Sequence, residues 1–295
     1  MTDRDRSVEG TPPHPFPDEG GEPSTGDAWS RLRAARGFIF DMDGVLYRGN
    51  QALTGVKETL DALALREKRV MLATNNSMST PATYVAKLAG MGLDVSEEEI
   101  LTAGLATRAY LLEHVAFDAR ILVIGMPALS EQLFGGTTFR ATAPGDPADV
   151  VVAGLDLAFD YTKLAAATTA IHQGARFVAT NADATLPTEG GLAPGAGSIV
   201  AAIAVASGQL PTVIGKPETP LLIQSLHRMD IAAADAVMVG DRLDTDILAG
   251  HRAGMLTVLV LTGVSTREEV ALAEVRPDIV ITDLHALVNG LVGPD

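Results

Sequence analysis

Asp41 and Asp43 stand one residue apart where the apolar run Gly37-Phe38-Ile39-Phe40 gives way to Gly44. The run reads as a short buried strand, so both acids fall at its carboxyl end. Ligands of open α/β sheets bind at that end of the strands. Two carboxylates so close repel each other and lose hydration, which calls for a cation or a shared proton. Alone, Asp-x-Asp-Gly is more often a turn that closes a strand. Three further polar stations follow at predicted strand ends: Thr74 with Asn75, then Lys216, then Asp241 with Asp246. Each has a plain reading as turn chemistry or a solvated loop lysine. Together, in this order on separate strands, they point to one site.

The elements that must position them alternate, as expected for a parallel sheet wrapped by helices. Strands are predicted at 37–40, 69–73, 236–239 and 257–261, with a short last one near 278–281; helices are predicted near 56–67, 81–90, 103–113, 220–228 and 244–253. A second series covers strands at 120–124, 150–153 and 176–179 and helices at 163–172 and 198–207, after which the first pattern resumes at Val213–Ile214. Only 33 residues separate Asp41 from Thr74, room for one helix and one strand, whereas 142 separate Thr74 from Lys216. That second interval far exceeds one βα unit and predicts an inserted domain. The expected organisation is a tail at 1–30, a discontinuous core at 31–114 and 209–295, and a cap at 115–208. The tail carries prolines at 12, 13, 15, 17 and 23 with no apolar periodicity, the composition of a disordered segment.

The stretches Asp41-Met42-Asp43-Gly44-Val45, Thr74-Asn75-Asn76-Ser77, Gly215-Lys216-Pro217 and Gly240-Asp241-Arg242-Leu243-Asp244-Thr245-Asp246-Ile247 resemble the four motifs of the haloacid dehalogenase superfamily of phosphotransferases. Gly154-Leu155-Asp156, Thr180-Asn181-Ala182-Asp183 with Pro187, Pro194-Gly195-Ala196-Gly197 and Leu261-Thr262-Gly263-Val264 are similar to its NagD-like branch, subfamily IIA, with the N-acetylglucosamine-phosphate and 4-nitrophenyl phosphate phosphatases. The resemblance spans roughly residues 36–290. It implies a Rossmann-like, doubly wound parallel core with an inserted α/β cap of the larger, C2 type. It also implies hydrolysis of small phosphate monoesters through an aspartyl-phosphate on Asp41, with Asp43 as acid and then base. Mg2+ would be held by the Asp41 and Asp241 carboxylates and the Asp43 main-chain carbonyl. Thr74, the main chain at Asn75, and Lys216 would bind phosphate, with Asp246 orienting Lys216 or metal-bound water. Asn181 and Asp183 would lean over the site from the cap, beside a Leu186-Pro187 turn. Candidate substrates are glycerol phosphate, phosphoglycolate, 4-nitrophenyl phosphate and sugar phosphates; Leu186 disfavours pyridoxal phosphate, since that group of phosphatases tends to carry histidine there. A homodimer through the cap is expected by analogy.

Other readings are weaker. A formal charge of −15 argues against nucleic acid, and the absence of cysteine excludes disulfides and thiolate sites. No run approaches the roughly 18 apolar residues of a membrane helix, so a soluble, cytoplasmic protein is expected. Gly195-Ala196-Gly197-Ser198 begins like a dinucleotide fingerprint but lacks the third small residue; it reads as a tight turn opening a helix. Asp244 reads as a helix N-cap rather than a ligand, and Tyr47 and Arg48 could touch substrate or serve structure. The rival activities are a phosphotransferase and a catalytically silent binder of phosphorylated metabolites.

Overall fold

A computed structural model describes residues 25–188 and 191–293. Its larger sheet has six parallel strands in the order Ile279–Ile281, Leu256–Val260, Ala236–Gly240, Gly37–Phe40, Arg69–Thr74, Ile100–Thr102. Gly37–Phe40 and Ala236–Gly240 are buried along their whole length, as strands covered on both faces must be. In chain order this is the doubly wound 3-2-1-4-5-6 arrangement, whose direction reverses between Gly37–Phe40 and Ala236–Gly240. A crevice opens there beyond the strand ends. Asp41 and Asp241 each lie one residue past those two strands.

A second, five-stranded parallel sheet runs Thr212–Val213, Arg176–Ala179, Val150–Ala153, Arg120–Ile124, Arg140–Ala141. It has an aliphatic core of its own, with Val151, Ala153, Ala167 and Ile203 fully buried. Helix ends are closed by side chains where the sequence supplies them. Thr80 accepts from Thr83 N (3.3 Å) before Pro81–Ala89, and Asp160 accepts from Lys163 N (2.8 Å) before Tyr161–His172. Among the described residues no helix is long and apolar enough to cross a membrane.

Several expectations are corrected. Residues 1–24 of the expected tail lie outside the described residues, but 25–30 belong to the helix Thr25–Ala34, which buries Ala28 and Leu32 in the core. Burying a leucine contributes about 1.5–3 kcal/mol, and with Trp29 packed against the same core that anchors a helix whose opposite face is polar. The strand after the second series, Thr212–Val213, pairs with Arg176–Ala179 and so closes the second sheet instead of resuming the first. Leu186-Pro187 is no turn: Thr185–Thr188 pairs antiparallel with Gly191–Pro194 as a hairpin. The strand Ile100–Thr102 and the helix Pro127–Phe134 were not anticipated.

Candidate active site

Strand pairing carries the backbone into the crevice. Asp41 N donates to Val239 O (2.9 Å), prolonging the central ladder by one residue, and the chain then folds back with Gly44 N donating to Tyr47 O (2.9 Å). Gly44 adopts φ +84°, and a Cβ there would strike the Asp241 carboxylate. A Cβ on Gly263 would strike it too. Glycine at both places gives Asp241 its room.

Lys216 is the electrostatic centre. Its ammonium has three protons and three acceptors: Asp41 Oδ1 at 2.5 Å, Asp246 Oδ1 at 2.8 Å and Ala73 O at 3.1 Å. The residue is 1% exposed. Burial opposes its charge, yet Asp246 and Asp41 outweigh that and raise its pKa. Asp41 is held well above the usual carboxylate range, chiefly by burial, with Lys216 pulling down and Asp246 and Asp241 pushing up. Burial and then Asp246 push Asp241 to about 7.

Asp41, Asp241 and Asp246 bring carboxylate oxygens within 4.8 Å of one another. Their donor sets differ. Asp246 is fully engaged, with Oδ2 accepting from Asp241 N (3.2 Å) and Arg242 N (3.1 Å). Asp241 Oδ2 accepts from Val264 N (2.7 Å). Asp41 Oδ2 and Asp241 Oδ1 take neither the Lys216 nor the Val264 bond, so they are the oxygens best placed for a cation. Against one lysine, three acids leave a deficit of two positive charges if all ionise. Two neighbouring carboxylates with an oxygen each to offer suit Mg2+, which binds through one or two carboxylates and keeps several waters.

Asp43 lies exposed at the rim. Desolvation by its loop raises its pKa while Lys87 and Arg48 lower it. Thr74 ends its strand buried, its hydroxyl accepting from Asn76 N (3.1 Å). The Asn75 side chain is a clamp: Nδ2 donates to Lys216 O and Oδ1 accepts from Lys216 N, both at 2.8 Å. It is thus fully occupied and leaves only its main chain for phosphate.

The second sheet delivers Asn181 and Asp183 to the same place. Asn181 Nδ2 donates to Asn75 O (2.8 Å), and Asn75 Nδ2 donates to both Asp183 oxygens (3.3 and 3.2 Å). Burial raises the Asp183 pKa, with Asn75 pulling the other way. A cavity of about 70 Å³ lies here, lined by Asn75, Ser77, Leu155, Asn181, Asp183 and Leu186. Gly195 and Gly197 open the helix Ala196–Ser207 against this loop, Gly197 N donating to Asp183 O (2.9 Å), so that motif is a tight turn. Asp244 does not cap a helix: it pairs with Arg242 (2.8 Å) inside a π-helical turn, Leu243–Ile247, and Asp246 takes the N–H groups instead.

Sequence reasoning missed Tyr84, whose hydroxyl reaches Thr74 and Ser79, and Lys87, whose Nζ sits 3.7 Å above the Tyr47 ring. The signal was available. From the Thr80 cap, Tyr84, Lys87 and Leu88 share a helix face that turns toward the Asp41–Tyr47 loop.

A wound parallel core with acids and a buried lysine at its switch point defines a class, and sequence comparison names it. Residues 38–135 match the haloacid dehalogenase-like hydrolase family, and residues 213–287 match its HAD-hydrolase-like counterpart. An acid sugar phosphatase of Staphylococcus haemolyticus is 36% identical over 261 residues, 88% of this chain and 98% of that protein. The crystal structure of 4-nitrophenylphosphatase from Thermotoga maritima superposes with TM-score 0.82 at 34% identity, over 88% of this chain and 99% of that one. Glycerol phosphate phosphatase from Mycobacterium tuberculosis, in complex with magnesium, gives 0.81 at 35% identity, over 87% and 77%. The chain belongs to the haloacid dehalogenase-like hydrolases. Within them it is a phosphatase of the NagD-like branch.

Proposed function

We propose that the chain hydrolyses small phosphate monoesters with Mg2+ through an aspartyl-phosphate on Asp41. The observation that carries this reading is the partition of the Asp41 carboxylate. One oxygen is fixed on Lys216, and the other is left beside Asp241. A phosphate monoester is anionic and resists attack, so positioning and charge neutralisation carry the catalysis. Lys216 orients Asp41 and stabilises the oxygens of the transferring group. Asp43 protonates the leaving alkoxide and then takes a proton from the water that hydrolyses the acyl phosphate. The Thr74 hydroxyl and main-chain N–H groups near Asn75 hold the phosphoryl oxygens. Mg2+, held by Asp41, Asp241 and the Asp43 carbonyl, would supply Lewis-acid neutralisation of phosphate charge. Asp246 fixes Lys216 and is no ligand, since both its oxygens are engaged.

In this reading the six-stranded unit does the chemistry and the five-stranded unit covers it, with Asn181 and Asp183 meeting the leaving group. The names of the relatives favour sugar phosphates, glycerol phosphate and 4-nitrophenyl phosphate as first substrates. Phosphate release should depend on Mg2+, stop with chelator and be lost in Asp41→Asn. Unchanged release by that variant would defeat the nucleophile assignment, and release only with an acceptor sugar would favour phosphotransfer.

A further inference from the structure

A second cavity, of about 330 Å³, opens where the core helices Ala103–His114 and Pro220–Met229 pack together and Pro127–Phe134 of the second unit meets them. Its volume is within the range of small-molecule sites, roughly 300–1,000 Å³. None of the catalytic acids lines it. Arg108, Arg228, Gln132 and Thr80 do, together with glutamates at 97, 98 and 131.

The two arginines bring two guanidiniums to one hollow. Arg108 Nη1 donates to Gly135 O (2.7 Å) and Arg228 Nη1 to Ile100 O (3.5 Å), so a main-chain carbonyl steers each fork. Arg228 is exposed as a residue, yet burial around its guanidinium, and then the Arg108 charge, lower its pKa. On balance the surroundings disfavour the charge they hold. Packing alone needs no second cation at such a place. Two guanidinium forks suit an anion with oxygens enough for both, which a phosphoryl group has. The carboxylates of Glu97, Glu98 and Glu131 are exposed, repel a further anionic group and accept hydrogen bonds from hydroxyls. The lining therefore favours one phosphoryl group on a polyol over a polyanion.

Gln132 joins this cavity to the phosphate-binding segment. It is 4% exposed, and a Cβ on Gly104 would strike its amide. Nε2 donates to Ala128 O (2.9 Å) and is shared with Ser79 O (3.3 Å) and Ser77 O (3.4 Å), while Oε1 accepts from the Thr102 hydroxyl. Ser77 and Ser79 follow closely on Thr74 and Asn75. Thr80 caps the helix Pro81–Ala89, whose Tyr84 hydroxyl reaches Thr74. Two short chains of contacts thus run from the cavity wall to Thr74.

We propose that this cavity is a regulatory site for a hydroxylated phosphate monoester, held by Arg108 and Arg228 and felt at Thr74 through Gln132 and Thr80. Calorimetry in EDTA tests the site by itself, because the metal-free active site sets three acids against one lysine and repels an anion. Ribose 5-phosphate should bind, ribose should not, and inorganic phosphate should bind more weakly. Arg108→Gln and Arg228→Gln should each weaken ribose 5-phosphate about tenfold or more, with melts by circular dichroism showing both folded. With Mg2+ present, ribose 5-phosphate should change kcat at saturating 4-nitrophenyl phosphate about twofold or more in wild type. Arg228→Gln should keep the basal kcat and lose that response. A change confined to apparent KM would mean competition at the active site and would overturn the proposal. So would binding that ignores both arginines, no binding in EDTA, or equal affinity for inorganic phosphate. If 4-nitrophenyl phosphate released nothing at all, the phosphatase reading would fail while calorimetry still decided the site.

Discussion

Asp246→Asn should be among the most damaging single-atom changes in this protein, although Asp246 touches no substrate in the proposed mechanism. Its carboxylate is 1% exposed and serves three donors, the Lys216 ammonium at 2.8 Å and the N–H groups of Asp241 and Arg242 at 3.2 and 3.1 Å. An amide has one acceptor oxygen. Turned toward Lys216, it aims its NH2 at two backbone donors; turned the other way, it aims NH2 at an ammonium. The side chain has no space to escape, because it presses on Gly240 where a Cβ would collide with it. A buried donor without a partner costs about 1–3 kcal/mol, and breaking a buried ion pair about 3–5 kcal/mol. Lys216 keeps Asp41, which trims the second figure, so a net loss of about 3–4 kcal/mol is expected. For a chain of this size that lowers Tm by on the order of 10 °C. Thermal unfolding by circular dichroism in EDTA at pH 7.5 reads it directly. Asp244→Asn is the control two residues away: its pair with Arg242 is 69% exposed at the acid, and its loss should cost under about 1 kcal/mol. A Tm for Asp246→Asn within about 2 °C of wild type, or an equal drop in the control, would refute the reasoning.

Metal affinity should rise with pH through about 7, where Asp241 gives up its proton in the absence of metal, and calorimetry in buffers of different ionisation heat should detect proton release on Mg2+ binding. The same raised pKa sets the sign for stability. The folded state holds this proton more tightly than the unfolded chain does, so metal-free protein should lose stability as pH climbs from about 4 toward 7, and saturating Mg2+ should flatten that slope, as melts across pH would show. Asn75→Ala removes both bonds that clamp the Lys216 backbone; it should cost about 2–3 kcal/mol and lower kcat more than it raises KM. Leu32→Ala should cost about 2–5 kcal/mol in denaturant unfolding, since the side chain is fully buried.

The acids and the lysine were readable because chemistry at a sheet switch point needs charged groups just past apolar strands, and Phe38–Phe40 and Ala236–Val239 are apolar on both faces. The 142-residue interval likewise disclosed an insertion without any structure. What escaped was short or depended on partners distant in sequence. Thr25–Ala34 offers only Ala28, Trp29 and Leu32 as an apolar stripe, and its worth appears once Trp29 packs over Gly290. Ile100–Thr102 is three residues behind a run of glutamates, and Thr212–Val213 is two residues whose sheet is decided by Val178 and Ala179. From sequence Asp244 reads as the cap and Asp246 as a partner of Lys216 or of metal-bound water. Only the π-helical turn, which brings Asp246 under Asp241 N, assigns the task.

Asn75 joins the two sheets and braces Lys216 with one side chain. Its bonds to Lys216 are two at 2.8 Å and form a closed ring of donor and acceptor within the core, whereas its bonds to Asp183 share one NH2 and are long, at 3.2 and 3.3 Å. Asn181, donating to Asn75 O at 2.8 Å, makes a short contact to this residue from beyond the second sheet's Arg176–Ala179 strand. The segment that leads into Lys216 is bonded to the second sheet as well, through Ile214 N on Ala179 O (3.0 Å) and Gly215 N on Thr180 O (2.8 Å), so Lys216 sits at the junction of the two units. Lys216 also holds Asp41 and Ala73 O, at the ends of core strands, and Asp246 in the Leu243–Ile247 turn. The residue that meets Asn181 and Asp183 is thus also the one that braces the lysine from the core side.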